Sequence, residues 1–322
     1  MRAAMVTEFT GPEGISVQEL ADPTPKKGQV VVKVAAAGVN FPDLLMTRDM
    51  YQLKPPPPFA CGGEIAGEII ALGEGLEGWE VGERVMALLP FGGFATHVAL
   101  SARQLVRVPD TMDLETAAAF AFTYGTSYHA LVDRGALATE ERLLVLGAAG
   151  GVGLAAVEIG AALGAEVVAA ASTDEKLALC RAHGAKHTIR YDRDDLKKAA
   201  KAVGGVDVVY DPVGGDLAEP ALRSLQPGGR HLVIGFAAGS IPAVRWNLAL
   251  LKECSIVGVA WGAWAMRHPD AHAANMAALF RLHADGALRP HVSERYALDE
   301  TADALRAMDE RKVLGKVVIV PG

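Results

Sequence analysis

The sequence predicts an α/β protein in which a doubly wound parallel sheet is inserted into a β-rich unit. Three observations carry that expectation. Between residues 143 and about 260, short apolar runs at 143–147, 166–171, 206–210, 230–235 and 255–259 alternate with helical stretches, the pattern of parallel strands joined by crossing helices. Residues 1–122 show no such alternation and carry strand-like runs bounded by Gly and Pro. The tail from Ser293 to Val320 returns to strand, helix and strand, so the C-terminus is expected to complete the first unit.

The chain has 322 residues, 51% of them hydrophobic and 21% charged, enough to bury two cores and too long for one typical domain. The expected division is 1–122 together with 262–322 as one domain and 123–261 as the other. A formal net charge of -7 with scattered Lys and Arg offers no basic surface for a nucleic-acid backbone. The N-terminal MRAAMVTEFTGPEG lacks the apolar core of a signal peptide, which leads to the expectation of a soluble, cytoplasmic protein that does not engage membranes. Cys61, Cys180 and Cys254 are too few and too dispersed for a disulfide framework.

In chain order, Val30 to Ala35 and Glu64 to Leu72 read as strands, and Gly82-Glu83-Arg84-Val85-Met86 as a turn into another. Pro55 to Pro58 reads as a stiff surface loop. The stretch from Leu143 to Gly164, LLVLGAAGGVGLAAVEIGAALG, organises the rest. Leu143 to Leu146 is wholly apolar, as a strand covered on both faces must be, and Gly147 follows at once. Gly147, Gly150 and Gly153 then recur every third residue. Glycines so spaced let the chain turn tightly, let its backbone approach a pyrophosphate, and let the next helix pack closely on the sheet. The anion would rest on the helix N-terminus, where free N–H groups and the helix dipole favour negative charge. Val167 to Ala171 closes the strand-helix-strand unit, the context a dinucleotide site requires. Glu158, Glu166 and the intervening glycines argue against a membrane span.

The motifs GVNFPD at 38–43, GGEIAGEI at 62–69, VGERV at 81–85, YGTSYHAL at 124–131, LGAAGGVG at 146–153, DPVGGD at 211–216 and GKVVIV at 315–320 together resemble the medium-chain dehydrogenase/reductase superfamily, in its zinc-free quinone oxidoreductase branch. The resemblance spans essentially the whole chain. It implies a GroES-like β-rich catalytic domain, a Rossmann domain inserted into it, an active site in the cleft between them, and a homodimer joined through the last Rossmann strand. It also implies NADPH-dependent, metal-independent reduction of quinones or related conjugated carbonyls by hydride transfer. An enone or acryloyl-thioester (enoyl-CoA type) reductase is the alternative, and a crystallin-like protein that binds NADPH without turnover a further one.

Zinc enzymes of this superfamily carry a cysteine ligand where this chain has Asn40 and a histidine where it has Gly63, and no C-x-x-C is present for a structural zinc. Cys61, Glu64 and His97 are the remaining set that could converge on a metal; otherwise Glu64 is a structural carboxylate. Without a Lewis acid, preorganised donors must stabilise charge developing on the substrate oxygen. The resemblance assigns that role to Asn40 and Tyr51, whose eleven-residue spacing in NFPDLLMTRDMY is similar to that of quinone reductases and enoyl-thioester reductases. Asp49-Met50 departs from the glycine that these families usually place before the tyrosine. Asp43 either braces this segment or touches substrate.

Cofactor choice is read after the second strand of the inserted sheet, where an NAD enzyme usually presents an acid to the ribose 2'-OH. Here Ser172 is the first polar residue and Asp174 the competing acid, although Ser172-Thr173-Asp174-Glu175 also fits a capping box. Ser172 and Lys176 match the S-x-x-x-K arrangement that zinc-free NADPH reductases place around the 2'-phosphate, and Tyr191 matches a tyrosine over the adenosine phosphate. The resemblance extends the cofactor contacts to Thr126, to Gly147, Ala149, Gly150, Gly151, Val152 and Gly153 of the glycine turn, and to Val213, Gly214, Gly235, Phe236, Val259, Ala260 and Trp261. These last follow strands at their C-terminal ends, the edge where open α/β sheets bind ligands. Trp264 and Arg267, with Asp43, are the expected substrate-pocket residues; a packing or dimer role is equally open for either tryptophan.

Overall fold

The computed structural model describes residues 1–322. The chain divides into two compact units, Met1–Phe122 with Pro290–Gly322, and Thr123–Arg289.

In the first unit the central element is Gln29–Gly38, a strand of small and β-branched residues buried along most of its length. It pairs antiparallel with Glu64–Leu72, with His97–Ser101 and with the C-terminal strand Lys316–Val320. Arg84–Leu88 and Leu105–Arg107 extend the sheet on one side, and Val292–Ala297, parallel to Lys316–Val320, ends it on the other. A second sheet of three strands is formed by Ile15–Glu19, Arg2–Val6 and Phe59–Ala60. Val32, Leu44, Ile65, Ile69, Phe94, Val317 and Ile319 share one core, so strands from both ends of the chain bury against each other.

The second unit is a six-stranded, wholly parallel sheet in the spatial order His187–Arg190, Glu166–Ala171, Arg142–Leu146, Val206–Asp211, Leu225–Val233, Ser255–Gly258. Third, second, first, fourth, fifth and sixth strand is the order of dinucleotide-binding sheets, with its topological switch beside the first strand. His187–Arg190 was not anticipated: HTIR is four residues long, only one of which is fully buried, too short for periodicity to register. Helix Gly151–Ala162 lies close on the sheet because its inward residues are small. A Cβ added at Gly160 would stand 2.6 Å from Leu143 Cδ2. The helix also carries a buried carboxylate, Glu158, which accepts hydrogen bonds from Tyr124 Oη and His183 Nδ1 at 2.5 Å each and from the Arg289 N–H at 3.1 Å.

The second division of the chain falls at Arg289/Pro290 rather than after Trp261, which corrects the expected boundary. Helices Trp261–Arg267 and Pro269–Ala284 belong to the parallel-sheet unit because their side chains pack there. The Trp264 ring stacks on His129 with centroids 4.1 Å apart, and Asn275 Nδ2 donates to Asp133 at 2.8 Å.

At Gly153 a Cβ would lie 2.3 Å from the Gly147 carbonyl oxygen, a backbone atom that cannot swing aside. Gly153→Ala should therefore lower unfolding stability by about 1–3 kcal/mol, the usual cost of overpacking. Urea denaturation monitored by far-UV circular dichroism reads this; a midpoint equal to that of the parent protein would contradict the packing described.

Candidate functional site

The turn after strand Arg142–Leu146 is built as its glycines require. Gly147 adopts a φ of +58°, a conformation costly to residues with a Cβ, and Gly150 is the N-cap of helix Gly151–Ala162. The first-turn N–H groups of that helix, at Gly151, Val152 and Gly153, have no partner within it. A Cβ at Gly147 would be 2.9 Å from Val213 Cγ2, and one at Gly214 would be 2.8 Å from Phe236 Cδ1. The glycine turn and the loops after the fourth and fifth strands thus meet at one edge of the sheet. Asp211 Oδ1 accepts the N–H groups of Val213 and Gly214 at 2.9 and 2.8 Å, while Asp211 Oδ2 is held by His231 Nε2 at 3.0 Å. Gly235 and Val259 continue this edge through bonds to the Asp211 and Val233 carbonyls. Beside the turn, Ser127 Oγ donates to the Val152 carbonyl at 2.9 Å and meets Tyr210 Oη at 2.8 Å, which places Thr126, one residue before, next to it. Neither the His231 brace nor the Ser127–Tyr210 pair carried a local sequence signal. The arrangement fits a dinucleotide: a cradle that any side chain would obstruct, closed by loops tied to the sheet.

At the second strand's end the helix cap is Thr173, whose Oγ1 accepts the Lys176 N–H at 3.2 Å, not Ser172 as the capping-box reading had it. Ser172 lies outside the helix and Asp174 opens it. The Tyr191 N–H donates to the Ala171 carbonyl at 3.3 Å, so Tyr191 and Ser172 flank the same point of the sheet edge. Ala149 is buried in the turn, and Ala260 precedes the helix that begins at Trp261.

Trp261 is buried against Gly125: a Cβ at that glycine would be 2.4 Å from Trp261 Cζ2. Trp264 stacks on His129, whose Nδ1 pairs with Asp133 at 2.7 Å. Both tryptophans therefore have packing roles within the unit. Arg267 is exposed and donates from Nε to the Ala263 carbonyl at 3.0 Å.

In the first unit, Asn40 is 5% exposed and its amide is fully engaged. Nδ2 donates to Glu64 Oε2 at 3.0 Å and to the Gly38 carbonyl at 3.2 Å, and Oδ1 accepts from Lys316 Nζ at 2.7 Å. The opposite amide orientation would set oxygen against the Glu64 carboxylate and nitrogen against the ammonium. An amide has two hydrogens, and neither is left for a substrate oxygen. This structure thus corrects Asn40 from donor to brace. Lys316 completes the network with bonds to the Val39 carbonyl at 3.0 Å and Glu64 Oε2 at 3.1 Å, and Glu64 Oε1 accepts the Phe122 N–H at 2.8 Å. The sequence reading missed Lys316; its one signal was a lone charge opening the apolar run VVIV.

Asp43 is buried on helix Phe41–Met46, with Oδ2 accepting the Asn40 N–H at 2.8 Å. Its Oδ1 has no hydrogen-bond partner. A Cβ at Gly63 would stand 3.7 Å from that atom. Burial pushes the Asp43 carboxyl up to about 7, against the pull of the Asn40 N–H and of Lys316. Cys61, Glu64 and His97 do not converge, since no three His, Cys, Asp or Glu side chains gather in a way suited to a metal ion. Glu64 is bound to Lys316, and His97 Nδ1 lies 3.0 Å from Thr96 Oγ1.

Tyr51 follows the same helix, half-buried against the core. Burial first, and the nearby Asp43 second, raise its phenol above the ordinary value, and no hydrogen bond contributes. Asp49, which stands where a glycine was expected, has a φ of +54°. Asp tolerates this left-handed conformation better than most residues, and Lys54 Nζ steadies it through the Asp49 carbonyl at 2.8 Å and carboxylate at 3.2 Å.

A GroES-type β unit together with a parallel sheet carrying a glycine cradle defines the class of two-domain oxidoreductases. Comparison with known families agrees: an alcohol dehydrogenase GroES-like domain matches residues 26–110 and a zinc-binding dehydrogenase domain matches residues 151–278. Quinone oxidoreductase-like protein 2 of Bos taurus is 35% identical over 99% of this chain and 92% of its own length. Among solved structures, a probable oxidoreductase from Mycobacterium abscessus is 38% identical with a TM-score of 0.91, covering 100% of this chain and 99% of its own. The quinone oxidoreductase of Thermus thermophilus, also solved in complex with NADPH, is 34% identical with a TM-score of 0.86 and full coverage of both chains. The chain belongs to the medium-chain dehydrogenase/reductase superfamily, in its zinc-free quinone oxidoreductase branch.

The raised Asp43 carboxyl has a consequence for stability. Between its ordinary value of 3.8 and its value of about 7 in the fold, the native protein holds a proton that the unfolded chain has released. Its stabilising contribution is complete below about pH 4 and is lost as pH rises to about 7, with a slope approaching 1.4 kcal/mol per pH unit, or about a tenfold change in the unfolding constant. Asp43→Asn should remove that slope. Urea midpoints collected across this range should fall less steeply with rising pH for the variant than for the parent; parallel profiles for both proteins would show that folding does not raise the Asp43 carboxyl.

Proposed function

We propose that the protein is an NADPH-dependent, metal-independent reductase of quinones or related conjugated carbonyls. The observation that carries this reading is the full-length likeness to quinone oxidoreductases, one of them solved with NADPH, joined to a glycine cradle suited to a dinucleotide. When bound, NADPH supplies the hydride. The chain's own part is to hold the cofactor and to meet the charge that develops on the substrate oxygen.

The cofactor contacts are assigned to Thr126, the turn from Gly147 to Gly153, Ser172, Lys176 and Tyr191, and to the loop residues Val213, Gly214, Gly235, Phe236, Val259, Ala260 and Trp261. Charge on the substrate oxygen is assigned to Tyr51, whose phenol is raised and stays protonated at neutral pH. Asn40 supports it indirectly by capping helix Phe41–Met46, which leads into the Tyr51 loop. A thiolate and an imidazole at positions 40 and 63 would favour zinc; an amide and a glycine do not.

A homodimer through the last strand of the parallel sheet is part of the same reading. Ser255–Gly258 is an edge strand, and Trp246, Leu250, Leu251 and Ile256 nearby are large, apolar and exposed. Such an edge with such a patch suits pairing with a second copy. No helix is long and apolar enough to cross a membrane.

Two measurements test the proposal. Protein treated with chelator and containing no stoichiometric zinc should still oxidise NADPH with a panel of quinones and enones. Loss of turnover on chelation, restored by zinc, would refute metal independence, and absence of turnover with every acceptor would leave a binding protein. Separately, Tyr51→Phe should lower kcat/KM by about 10²-fold, the lower range for a lost acid or oxyanion donor, at a nearly constant Tm. Equal kcat/KM in the two proteins would remove Tyr51 from the chemistry.

A further inference from the structure

The adenosine end of the cradle contains an arginine that the assignment above does not use. Arg190 is the last residue of strand His187–Arg190 and lies opposite Ala171 in the parallel register. It therefore neighbours the position where Ser172 begins. Its guanidinium reaches Asp174 Oδ2 from Nη1 at 2.5 Å, Asp192 Oδ1 from Nε at 3.0 Å, and Asp192 Oδ2 from Nη2 at 3.2 Å. The Arg190 side chain is 17% exposed, whereas that of Asp174 is 75% exposed.

Asp174 is the acid that would read a ribose 2'-OH in an NAD enzyme. Left unpaired, its carboxylate would repel a 2'-phosphate, which carries about -1.5 to -2 charge at pH 7. Two donors from Arg190 grip Asp192 in the forked geometry that holds a guanidinium in place, and the third corner is aimed at Asp174. The acid is thus turned toward a fixed cation.

We propose that Arg190 tunes the nucleotide preference of this protein: held by Asp192 and paired with Asp174, it draws Asp174 to itself and offsets part of that acid's charge, so that Ser172 and Lys176 meet the 2'-phosphate against less opposition. This rests on the NADPH assignment above. Arg190 acts through Asp174 and is a specificity-determining positioning residue, not a catalytic one.

The test is direct binding, read from the nicotinamide fluorescence of NADPH and NADH without substrate. The parent protein should bind NADPH at least about tenfold more tightly than NADH, the size expected of charge-assisted contacts to phosphate. Arg190→Gln should weaken NADPH by about tenfold and leave NADH unchanged or tighter, since NADH gains a released carboxylate. Unchanged NADH binding also shows that the variant is folded. Arg190→Lys should keep most of the preference, because it keeps the charge. The deciding variant is Arg190→Gln combined with Asp174→Asn, which should bind NADPH more tightly than Arg190→Gln alone, by about threefold or more, since the Asp174 charge is gone while that of Asp192 remains. Failure of Asp174→Asn to tighten NADPH binding in this way, or equal loss of both nucleotides, overturns the proposal while the NADPH assignment stands. A parent protein that binds NADH as tightly as NADPH overturns the assignment itself, and this inference with it.

Discussion

A single buried ammonium organises the first unit. Lys316 Nζ has three hydrogens and three acceptors, the Val39 carbonyl, Asn40 Oδ1 and Glu64 Oε2. A buried pair left half-made costs about 3–5 kcal/mol, because the surviving charge is stranded away from water. Here both Lys316 and Glu64 are satisfied, the latter also by the Asn40 amide and the Phe122 N–H. These groups come from the C-terminal strand, the start of Glu64–Leu72, the cap of helix Phe41–Met46 and the end of the N-terminal segment. The charge can be sheltered only when all four have met, which couples the last strand to the N-terminal segment Met1–Phe122. It also bears on Asp43: burial and the Glu64 charge raise its carboxyl to about 7, and the Lys316 ammonium, already bonded to Glu64, offsets this only in part. Gly38 belongs to the same constraint, since a Cβ there would stand 2.6 Å from Glu64 Oε2.

The second unit depends instead on the absence of side chains. Gly147, Gly153 and Gly160 bring helix Gly151–Ala162 so close to the sheet that backbone and side-chain atoms leave no room for a methyl group. That closeness is what turns a helix N-terminus into a cradle at the sheet edge. Around it, the loops are tied down by polar side chains of strands and of helix Ala121–Tyr128: Asp211 with His231 holds Val213 and Gly214, and Ser127 with Tyr210 holds the start of the helix. Preorganisation here comes from the sheet's own carboxylates and hydroxyls, with the ordering cost met during folding rather than during binding.

Departures from the family pattern prove informative where their geometry is known. Asp49, in the pair that stands where the family usually carries glycine, adopts a left-handed backbone, the conformation that glycine takes most readily. Trp261 and Trp264, expected beside the cofactor and in the substrate pocket respectively, face Gly125 and His129. A flat ring suits a planar substrate and a planar neighbour equally well; only the neighbour decides.

The sequence by itself determined the fold class. Apolar runs alternating with helices marked five of the six parallel strands, and Gly147, Gly150 and Gly153 marked the cradle, because burial period and the lack of a Cβ are local properties written residue by residue. The return of the tail to strand, helix and strand was legible for the same reason. What tertiary structure decided lies where residues distant in sequence meet. His187–Arg190 is a strand only because Glu166–Ala171 offers it an edge, and helix Pro269–Ala284 joined the second unit through contacts to residues far earlier in the chain. Asn40 looked like a free donor until Lys316, 276 residues away, and Glu64 took up its amide. Asp174 read as a competing ribose acid at the start of a helix, and nothing in the sequence tied it to Arg190 until the parallel register set one beside the other. A hydrogen-bond donor's availability depends on its partners, and partners are a property of the folded chain.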